Sequence, residues 1–517
     1  MQKIPLPAQH SPIHGLDHAT CYRALSAKDS RFDGEFFVGV ATTGIYCRPV
    51  CRVKTPRAHS CHFFPNASAA EAAGFRPCLR CRPELAPYAL QQNLAHAIWH
   101  RIASGALNFG GNMQQLADQV GLSTRQLQRL MQTHFGVSPI ELAQTARLLF
   151  AKKLLQETDL PMIELAYAAG FGSVRRFNAL FLERYGIAPS SIRRNTSNRA
   201  NLNNQSADAI TLRLAYRAPF AWDEMLNYLT GRLIAGVEYI QGSGPQRFYL
   251  RSVNLSHGDQ ELVGWYRVAH LQKEQQIEVQ VASQLAPILM ILLDKIRQQF
   301  DLDANPVVIE SHLKLNPLLA PQCSTTPGLR VPGAFDSFEL AIRAILGQQI
   351  SVAAATTISG RLARGFGTSI SDGLIPNCAR QHITHYFPRA AQLAQNKVTE
   401  LTQIGLTTAR AETVLAFAKF AADGGLDLAP GIGLQQAVEQ LKTVRGIGDW
   451  TAHYIALRAL RFPDAFPSGD LGLQKALAKQ LGQEKVSATQ LQLEAEKWSP
   501  WRGYAALLLW KSLSQNP

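Results

Sequence analysis

Several things are scarce in this 517-residue chain, and each scarcity excludes something. Long apolar runs are missing: the longest, Leu285–Leu293, falls well short of the ~20 residues a helix needs to cross a bilayer. No apolar signal core opens the chain either, so a soluble, intracellular protein without a membrane partner is expected. Cysteine all but disappears after residue 81; only Cys323 and Cys378 follow, which rules out a disulfide framework for most of the chain. Acidic residues are the scarcer sign, 38 against 52 Lys+Arg, and the net charge is +14. Disorder is excluded by composition, because 46% of the residues are hydrophobic and only 17% are charged. A chain of this length holds three or four domains at about 100–200 residues each.

The positive charge is uneven. Residues 1–200 hold 23 of the Lys+Arg but only 12 of the Asp+Glu, a surplus of +11 that leaves +3 for the rest. A basic surplus confined to one part of an intracellular chain points to double-stranded DNA as the partner.

Six cysteines crowd the basic part, and four have metal-ligand spacing: Cys47-x3-Cys51 and Cys78-x2-Cys81. Paired thiolates at this spacing suit one tetrahedral zinc ion, which closes a small domain that has little core of its own. His59, Cys61 and His62 are spare donor types nearby. On spacing alone the site reads as a structural zinc knuckle. The wording of the segment, FFVGVATTGIYCRPVCR and NASAAEAAGFRPCLRCRPE, closely resembles the zinc domain of Ada-type alkylation-response proteins over residues 1–88. The resemblance implies that Cys47, Cys51, Cys78 and Cys81 hold zinc. It also implies that Cys47 accepts a methyl group from a methylated DNA phosphate in a single turnover. The thiolate is the reactive form of cysteine, and a metal keeps it deprotonated.

Residues 89–195 contain two helix-turn-helix patterns, NMQQLADQVGLSTRQLQRLMQ and MIELAYAAGFGSVRRFNALFLERYGIAPS. Leu116, Ala117 and Val120 recur at helical spacing, Gly121 turns, and Ser123 caps a helix presenting Arg125 and Arg129. Ser173 opens the corresponding second helix with Arg175 and Arg176. The tandem, joined by a helix around Ala143–Gln156, resembles the AraC-type DNA-binding domain. That implies a sequence-specific transcriptional regulator, with RNA polymerase as a further partner and a bacterial-type, nucleoid-associated location. Two recognition units in one chain predict a monomer. An Asn/Ser-rich stretch at 196–209 reads as a linker.

In residues 210–320, strand-like runs at Thr211–Arg217, Arg247–Leu255, Leu262–Ala269 and Ile277–Ala282 alternate with helices at Trp222–Leu233 and Ala286–Gln299. Short turns between strands predict an antiparallel sheet backed by helices. No catalytic pattern stands out here, and an architectural role is expected. The segment APFAWDEMLNYLTGR resembles the N-terminal domain of AlkA-type 3-methyladenine DNA glycosylases, which implies a TATA-binding-protein-like fold.

Residues 321–517 turn almost wholly helical, with apolar residues at 3.6-residue spacing. In VRGIGDWTAHYIALR, Gly446 and Gly448 make a tight turn whose N–H groups can approach a phosphate. A Pro/Gly-rich loop, FPSGD, then ends in Asp470. On its own Asp470 reads as the N-cap of the next helix; Asp449 and Asp464 are the competing carboxylates, of which Asp464 lies before the loop and Asp449, inside the hairpin, reads as a cap. The hairpin and loop together resemble the helix-hairpin-helix DNA glycosylases. That resemblance implies that Asp470 is catalytic and that Trp450, Tyr454 and Trp510 line a pocket for a flipped base. Members that also cut the backbone carry a lysine where this chain has Trp450, so a monofunctional enzyme is predicted. The resemblance to the AlkA branch further implies that the residue filling the gap in the duplex falls in Gly347–Ile350; where that branch has a leucine this chain has Gln348-Gln349, with Gln349 the better candidate.

The predicted whole is a multidomain α+β protein. It comprises a small zinc domain, an all-α tandem helix-turn-helix domain, an antiparallel α/β domain and an all-α glycosylase domain. Its expected function is excision of N3- or N7-alkylated purines by a DNA-3-methyladenine glycosylase II, combined with phosphotriester sensing and transcriptional regulation. A regulator whose glycosylase part is a non-catalytic DNA clamp is the competing reading. The Pro-Cys-His-Arg motif of alkylguanine methyltransferases is absent, so reversal of base O-methylation is not predicted.

Overall fold

A computed structural model describes residues 16–83, 86, 94–108, 111–197, 209–257, 260–371, 373–428 and 432–514. The chain divides into two compact units. The first is Met1–Arg217 with Gln272–Asp294 and Ala429–Gly431; the second is Ala218–Leu271 with Lys295–Leu428 and Ile432–Pro517.

The first unit begins with a small four-stranded sheet. Phe37–Val40, buried at every position, pairs antiparallel with Ile45–Cys47 on one side and Cys61–Phe64 on the other. Arg76–Pro77 adds a short parallel strand beside Ile45–Cys47. These strands bring the two cysteine pairs together, since one pair starts at the end of Ile45–Cys47 and the other follows Arg76–Pro77 directly.

The tandem helix-turn-helix follows as read. Helices Met113–Gln119 and Thr124–Phe135 form the first unit, and Met162–Ala168 and Val174–Tyr185 the second. Ser123 closes a capping box with Gln126, and Ser173 accepts from the Arg176 amide. The joining helix, Pro139–Glu157, is longer than its sequence core suggests, because Ser138 and Glu141 cap its start. It buries Leu142, Leu148 and Leu154.

One buried carboxylate fastens this joining helix to the cysteine-bearing sheet. Glu71, whose side chain has no solvent exposure, accepts from Tyr46 Oη at 3.0 Å and from Thr145 Oγ1 at 3.1 Å. Arg184, on the second recognition helix, lies 3.5 Å away. Burial pushes the Glu71 carboxyl up to about 7 despite these partners. Buried Lys152 donates to the Cys78 carbonyl at 3.4 Å.

Strand Ala209–Ala215 pairs antiparallel with Gln276–Ala282 in the same unit. The predicted linker is narrower than 196–209: helix Pro189–Ser197 runs into its start and a strand begins at Ala209. Residues 198–208 lie outside the described residues.

The second unit holds an antiparallel meander, Glu238–Gln241, Phe248–His257 and Gln260–Leu271, and the helix Trp222–Thr230. Sequence reading overlooked Glu238–Gln241, a strand of four residues with polar ends and no fully buried position. The predicted helix Ala286–Gln299 starts later, at Leu289, because Pro287 sits in a tighter 3-10 turn over Ser283–Ile288. Apart from a short antiparallel pair, Thr368–Ser369 with His385–Tyr386, the remainder is helical and shares one core that includes Leu346, Leu362, Phe417, Leu441, Ile455 and Trp498. Among the described residues no helix is long and apolar enough to cross a membrane.

Candidate active site and metal centre

In the second unit, helix Leu434–Lys442 turns through Val444-Arg445-Gly446-Ile447-Gly448 into helix Asp449–Arg458. Ile447 is buried and anchors the turn, while Gly446 and Gly448 are exposed. Gly446 has φ of +90°, and a Cβ there would lie 2.1 Å from Thr413 Oγ1, so only glycine fits. Asp449 does not cap the second helix. Gly448 holds the N-cap position, and Asp449 pairs with Lys442 at 2.8 Å. Asp464 is likewise committed elsewhere, to Arg502 at 2.7 Å.

Asp470 is the N-cap of helix Leu471–Leu481, as its position before that helix suggested, and it also lines a cleft. Its Oδ1 accepts from the Leu473 amide at 2.9 Å and from Trp510 Nε1 at 3.0 Å. Its Oδ2 accepts from Trp450 Nε1 at 2.9 Å. Three N–H donors thus fix the plane of the carboxylate. The Trp450 and Tyr454 rings, four residues apart on one helix face, stack at 5.3 Å with 12° between planes. Trp510 meets Tyr454 edge-on at 6.3 Å. The cleft between them has a volume of about 300 Å³, room for a purine-sized group.

Other residues of this cleft escaped sequence reading. Tyr228 and Arg232 line it, although residues 210–320 were expected to support the next domain or add DNA contacts. Tyr228 Oη lies 3.4 Å from Tyr454 Oη, across more than two hundred sequence positions. Arg458 is buried and donates to Tyr454 Oη at 2.7 Å and to the Pro332 carbonyl at 2.6 Å. The only sequence hint was the Tyr228/Arg232 spacing of one helical turn, which on its own carries little.

Near the cleft, Gln349 is exposed and takes a left-handed backbone conformation, φ +56°, unusual for a non-glycine. The neighbouring Gln348 side chain ties this loop to the hairpin, donating to the Gly446 carbonyl at 3.0 Å and to Thr451 Oγ1 at 2.9 Å. Arg410 adds a bond to the Gln348 carbonyl at 2.6 Å. Gly446, Gly448 and Gln349 therefore belong to one braced surface.

In the first unit, the sulfurs of Cys47, Cys51, Cys78 and Cys81 all lie within 4.8 Å of one another. A tetrahedral zinc bound at about 2.3 Å to each sulfur sets its ligands about 3.8 Å apart, so the set fits. Amide groups already point at the sulfurs: Arg48 N–H at 3.4 Å from Cys81 Sγ, and Arg80 N–H at 3.4 Å from Cys78 Sγ. Hydrogen bonding with Cys51, Cys78 and Cys81, together with burial, pushes the Cys47 thiol up. The Cys47 contact brings Cys51 down to about 7. Four sulfurs this close cannot all be anionic without a cation among them. Cys61 is buried nearby, with its thiol facing the Arg57 carbonyl, and stands outside the four-sulfur set. Arg125 and Arg129 are exposed on the first recognition helix, and Arg175 and Arg176 on the second.

The two sites define a class: a base-excision glycosylase core joined to a zinc-binding DNA regulator. Residues 20–84 match the metal binding domain of Ada, and residues 116–195 match a helix-turn-helix domain. Residues 211–336 match the AlkA N-terminal domain, and 342–502 the HhH-GPD superfamily of base excision DNA repair proteins. The "Probable bifunctional transcriptional activator/DNA repair enzyme AlkA" of Mycobacterium tuberculosis is 36% identical over 501 residues, covering 96% of this chain and 97% of that one. This chain belongs to that family of bifunctional activator and repair proteins. "DNA-3-methyladenine glycosylase 2" of Escherichia coli (strain K12) is 30% identical over 309 residues, 59% of this chain and 98% of that one. "Bifunctional transcriptional activator/DNA repair enzyme Ada" of the same organism is 39% identical over 130 residues, 24% of this chain and 36% of that one. The chain is a DNA-binding glycosylase that holds one zinc ion in its four-cysteine site.

Proposed function

We propose that the second unit hydrolyses the N-glycosidic bond of N3- and N7-alkylated purines flipped out of duplex DNA, and that Asp470 is its catalytic residue. The observation carrying this is the convergence of Trp450 Nε1, Trp510 Nε1 and the Leu473 amide on one carboxylate at the edge of an aromatic cleft. As the bond between C1′ and the base nitrogen breaks, its electron pair leaves with the base and positive charge builds on the sugar. The Asp470 carboxylate stabilises that charge and orients the attacking water. Water oxygen then bonds to C1′, its proton passes to the Asp470 carboxylate, and an abasic site remains. An alkylated purine already carries positive charge, so it departs without a strong general acid. Trp450, Tyr454 and Trp510 hold the cationic ring, a contact worth about 0.5–2 kcal/mol. Gly446 and Gly448 approach the DNA backbone, and Gln349 fills the space left by the flipped nucleotide.

The first unit supplies the sensing half. Zinc keeps the cysteines as thiolates when bound. Cys47 Sγ then forms a bond to the methyl carbon of a methylated phosphate, and the phosphate oxygen leaves with the bonding pair. Cys51, Cys78 and Cys81 are the residues that would hold the ion beside it. Arg125, Arg129, Arg175 and Arg176 engage operator DNA in the major groove, mostly through phosphates. RNA polymerase is the downstream partner, and the chain acts as a monomer at the nucleoid.

Product analysis tests this. Methylated duplex treated with the full chain should yield free base and alkali-sensitive abasic sites in unbroken strands. The intact protein, exposed to methylphosphotriester DNA, should gain one methyl that maps to Cys47. Strand cleavage by the enzyme itself, or a methyl on Cys61, contradicts the assignment.

A further inference from the structure

Asp470 stands at the end of a strap, the non-helical run from Ala459 to Gly469 that joins helix Asp449–Arg458 to helix Leu471–Leu481. Side chains hold the strap at three points. At its start Asp464 pairs with Arg502 at 2.7 Å. In its middle the Phe466 amide donates to His453 Nδ1 at 3.3 Å. Near its end Gln474 Nε2 donates to the Ser468 carbonyl at 3.2 Å. His453 lies on the same helix as Trp450, which holds the Asp470 carboxylate, so one helix grips both the strap and the group at its end.

The middle contact admits one arrangement of protons. A backbone amide can only donate, so Nδ1 is the bare nitrogen and the ring proton of His453 sits on Nε2. Phe466 is buried, with its ring edge-on to Trp498 at 5.8 Å. A second proton on the imidazole sets N–H against N–H and leaves a buried donor without its acceptor. The surroundings favour the neutral ring. Burial is the largest effect holding His453 below the ordinary imidazole range; Asp449 on its own helix opposes it, while Arg502 on the last helix and Lys442 on the preceding one add to it. Asp464, the strap's own carboxylate, is engaged by Arg502.

We propose that His453 is a positioning residue for Asp470, its bare Nδ1 pinning the strap through the Phe466 amide and freeing it when the ring is protonated. This rests on the reading of Asp470 as the catalytic carboxylate. Short backbone bonds connect the pinned amide to that carboxylate: Ser468 N–H returns to the Phe466 carbonyl at 3.0 Å, and Asp470 N–H to the Pro467 carbonyl at 2.9 Å. A displacement at Phe466 therefore reaches Asp470 within four residues, and a small misplacement of a reacting group costs rate steeply. Base release then has an acid-side loss that originates in a group outside the cleft lining. Because the neutral ring is the working form, the contribution is complete above the ordinary imidazole range and is lost as pH falls through the lower value of the folded state.

Single-turnover release of N3-methyladenine from methylated duplex DNA, with the full chain in excess and spontaneous loss subtracted, is followed from pH 5 to pH 8. His453→Asn places an amide oxygen where Nδ1 stood, an acceptor that does not titrate in this range; His453→Leu offers none. At pH 8 His453→Asn should release base within about threefold of the wild-type chain, and His453→Leu about tenfold more slowly, the effect of one buried amide losing its partner. Towards pH 5 the wild-type chain should lose about tenfold relative to His453→Asn, because other titrations are common to both. Profiles of the same shape for the wild-type chain and His453→Asn overturn the proposal, as does equal damage from Asn and Leu at pH 8, the mark of a packing role. If His453→Leu does not fold, the comparison of pH profiles with His453→Asn decides alone. Asp470→Asn, assayed alongside, separates the two readings: release at the wild-type rate removes the catalytic assignment and this proposal with it, whereas its loss with matching His453 profiles removes this proposal alone.

Discussion

Replacing Trp450 by phenylalanine separates the two things that residue does. The ring, stacked on Tyr454 at 5.3 Å, is largely retained, while the Nε1–H that holds Asp470 Oδ2 at 2.9 Å is lost. A hydrogen bond to a charged acceptor is worth about 1.5–3 kcal/mol, and at this partly exposed cleft the lower end applies. About 1.4 kcal/mol is tenfold in rate, so single-turnover base release by Trp450→Phe should fall about tenfold. Trp510→Phe makes the internal comparison. Asp470 Oδ1 keeps the Leu473 amide at 2.9 Å when the Trp510 donor goes, so its orientation survives better and the loss should be about threefold. In an Asp470→Asn background neither change should matter further, because both act through the same carboxylate. Unchanged melting temperatures would show that packing is preserved. Trp450→Phe releasing base at the wild-type rate, or Trp510→Phe proving the more damaging, would refute the orienting role.

Other consequences follow from the same contacts. Metal analysis should find one zinc per chain, and Cys78→Ser should lower that occupancy and abolish methyl uptake at Cys47. Glu71 is held at about 7 in the fold against an ordinary 4.5, so the folded state binds that proton more tightly than the unfolded state. Its contribution therefore declines as pH rises from about 4.5 to about 7, by about 3 kcal/mol at most. Glu71→Gln has no such dependence, so thermal melts should show the variant gaining on the wild-type chain as pH rises from 5 to 8. Gly446→Ala, forced against Thr413 with φ of +90°, should cost about 2 kcal/mol or more in a urea melt and weaken DNA binding. Gly448→Ala, with nothing within 4 Å of the new methyl, should melt normally.

What the sequence made legible shared one property: the signal was local. Cys47/Cys51 and Cys78/Cys81 are short-range pairs, and two adjacent strands suffice to merge them. Asp470 follows the hairpin by a short loop, and Trp450 and Tyr454 sit one helical turn apart, so chemistry and spacing coincide. Tyr228 was missed because its partners, Tyr454 and Arg458, are remote in sequence and reached only through tertiary packing, and Arg232, which lies over the Tyr228 ring, was missed with it. Asp449 was misread as a cap, because Gly448 already provides the extended N-cap backbone and Lys442 offers a charge partner that spacing does not reveal. Glu71 had no sequence mark at all; its meaning comes from Tyr46, Thr145 and Arg184 closing around it. The short strand Glu238–Gln241 was lost for a similar reason, since pairing with Phe248–Arg251 defines it and its own composition does not.

The central claim is that a single carboxylate at the edge of an aromatic cleft breaks the glycosidic bond. The most direct measurement is single-turnover release of N3-methyladenine from methylated duplex DNA by the full chain and by Asp470→Asn, with duplex binding measured alongside. The amide oxygen can still accept from the Leu473 amide and Trp510 Nε1, while its NH2 group cannot accept from Trp450 Nε1 and the side chain carries no negative charge for the sugar cation. The account predicts that release falls to the spontaneous rate while DNA binding persists. Release by Asp470→Asn at the wild-type rate would contradict it and favour a chain whose catalytic carboxylate lies elsewhere.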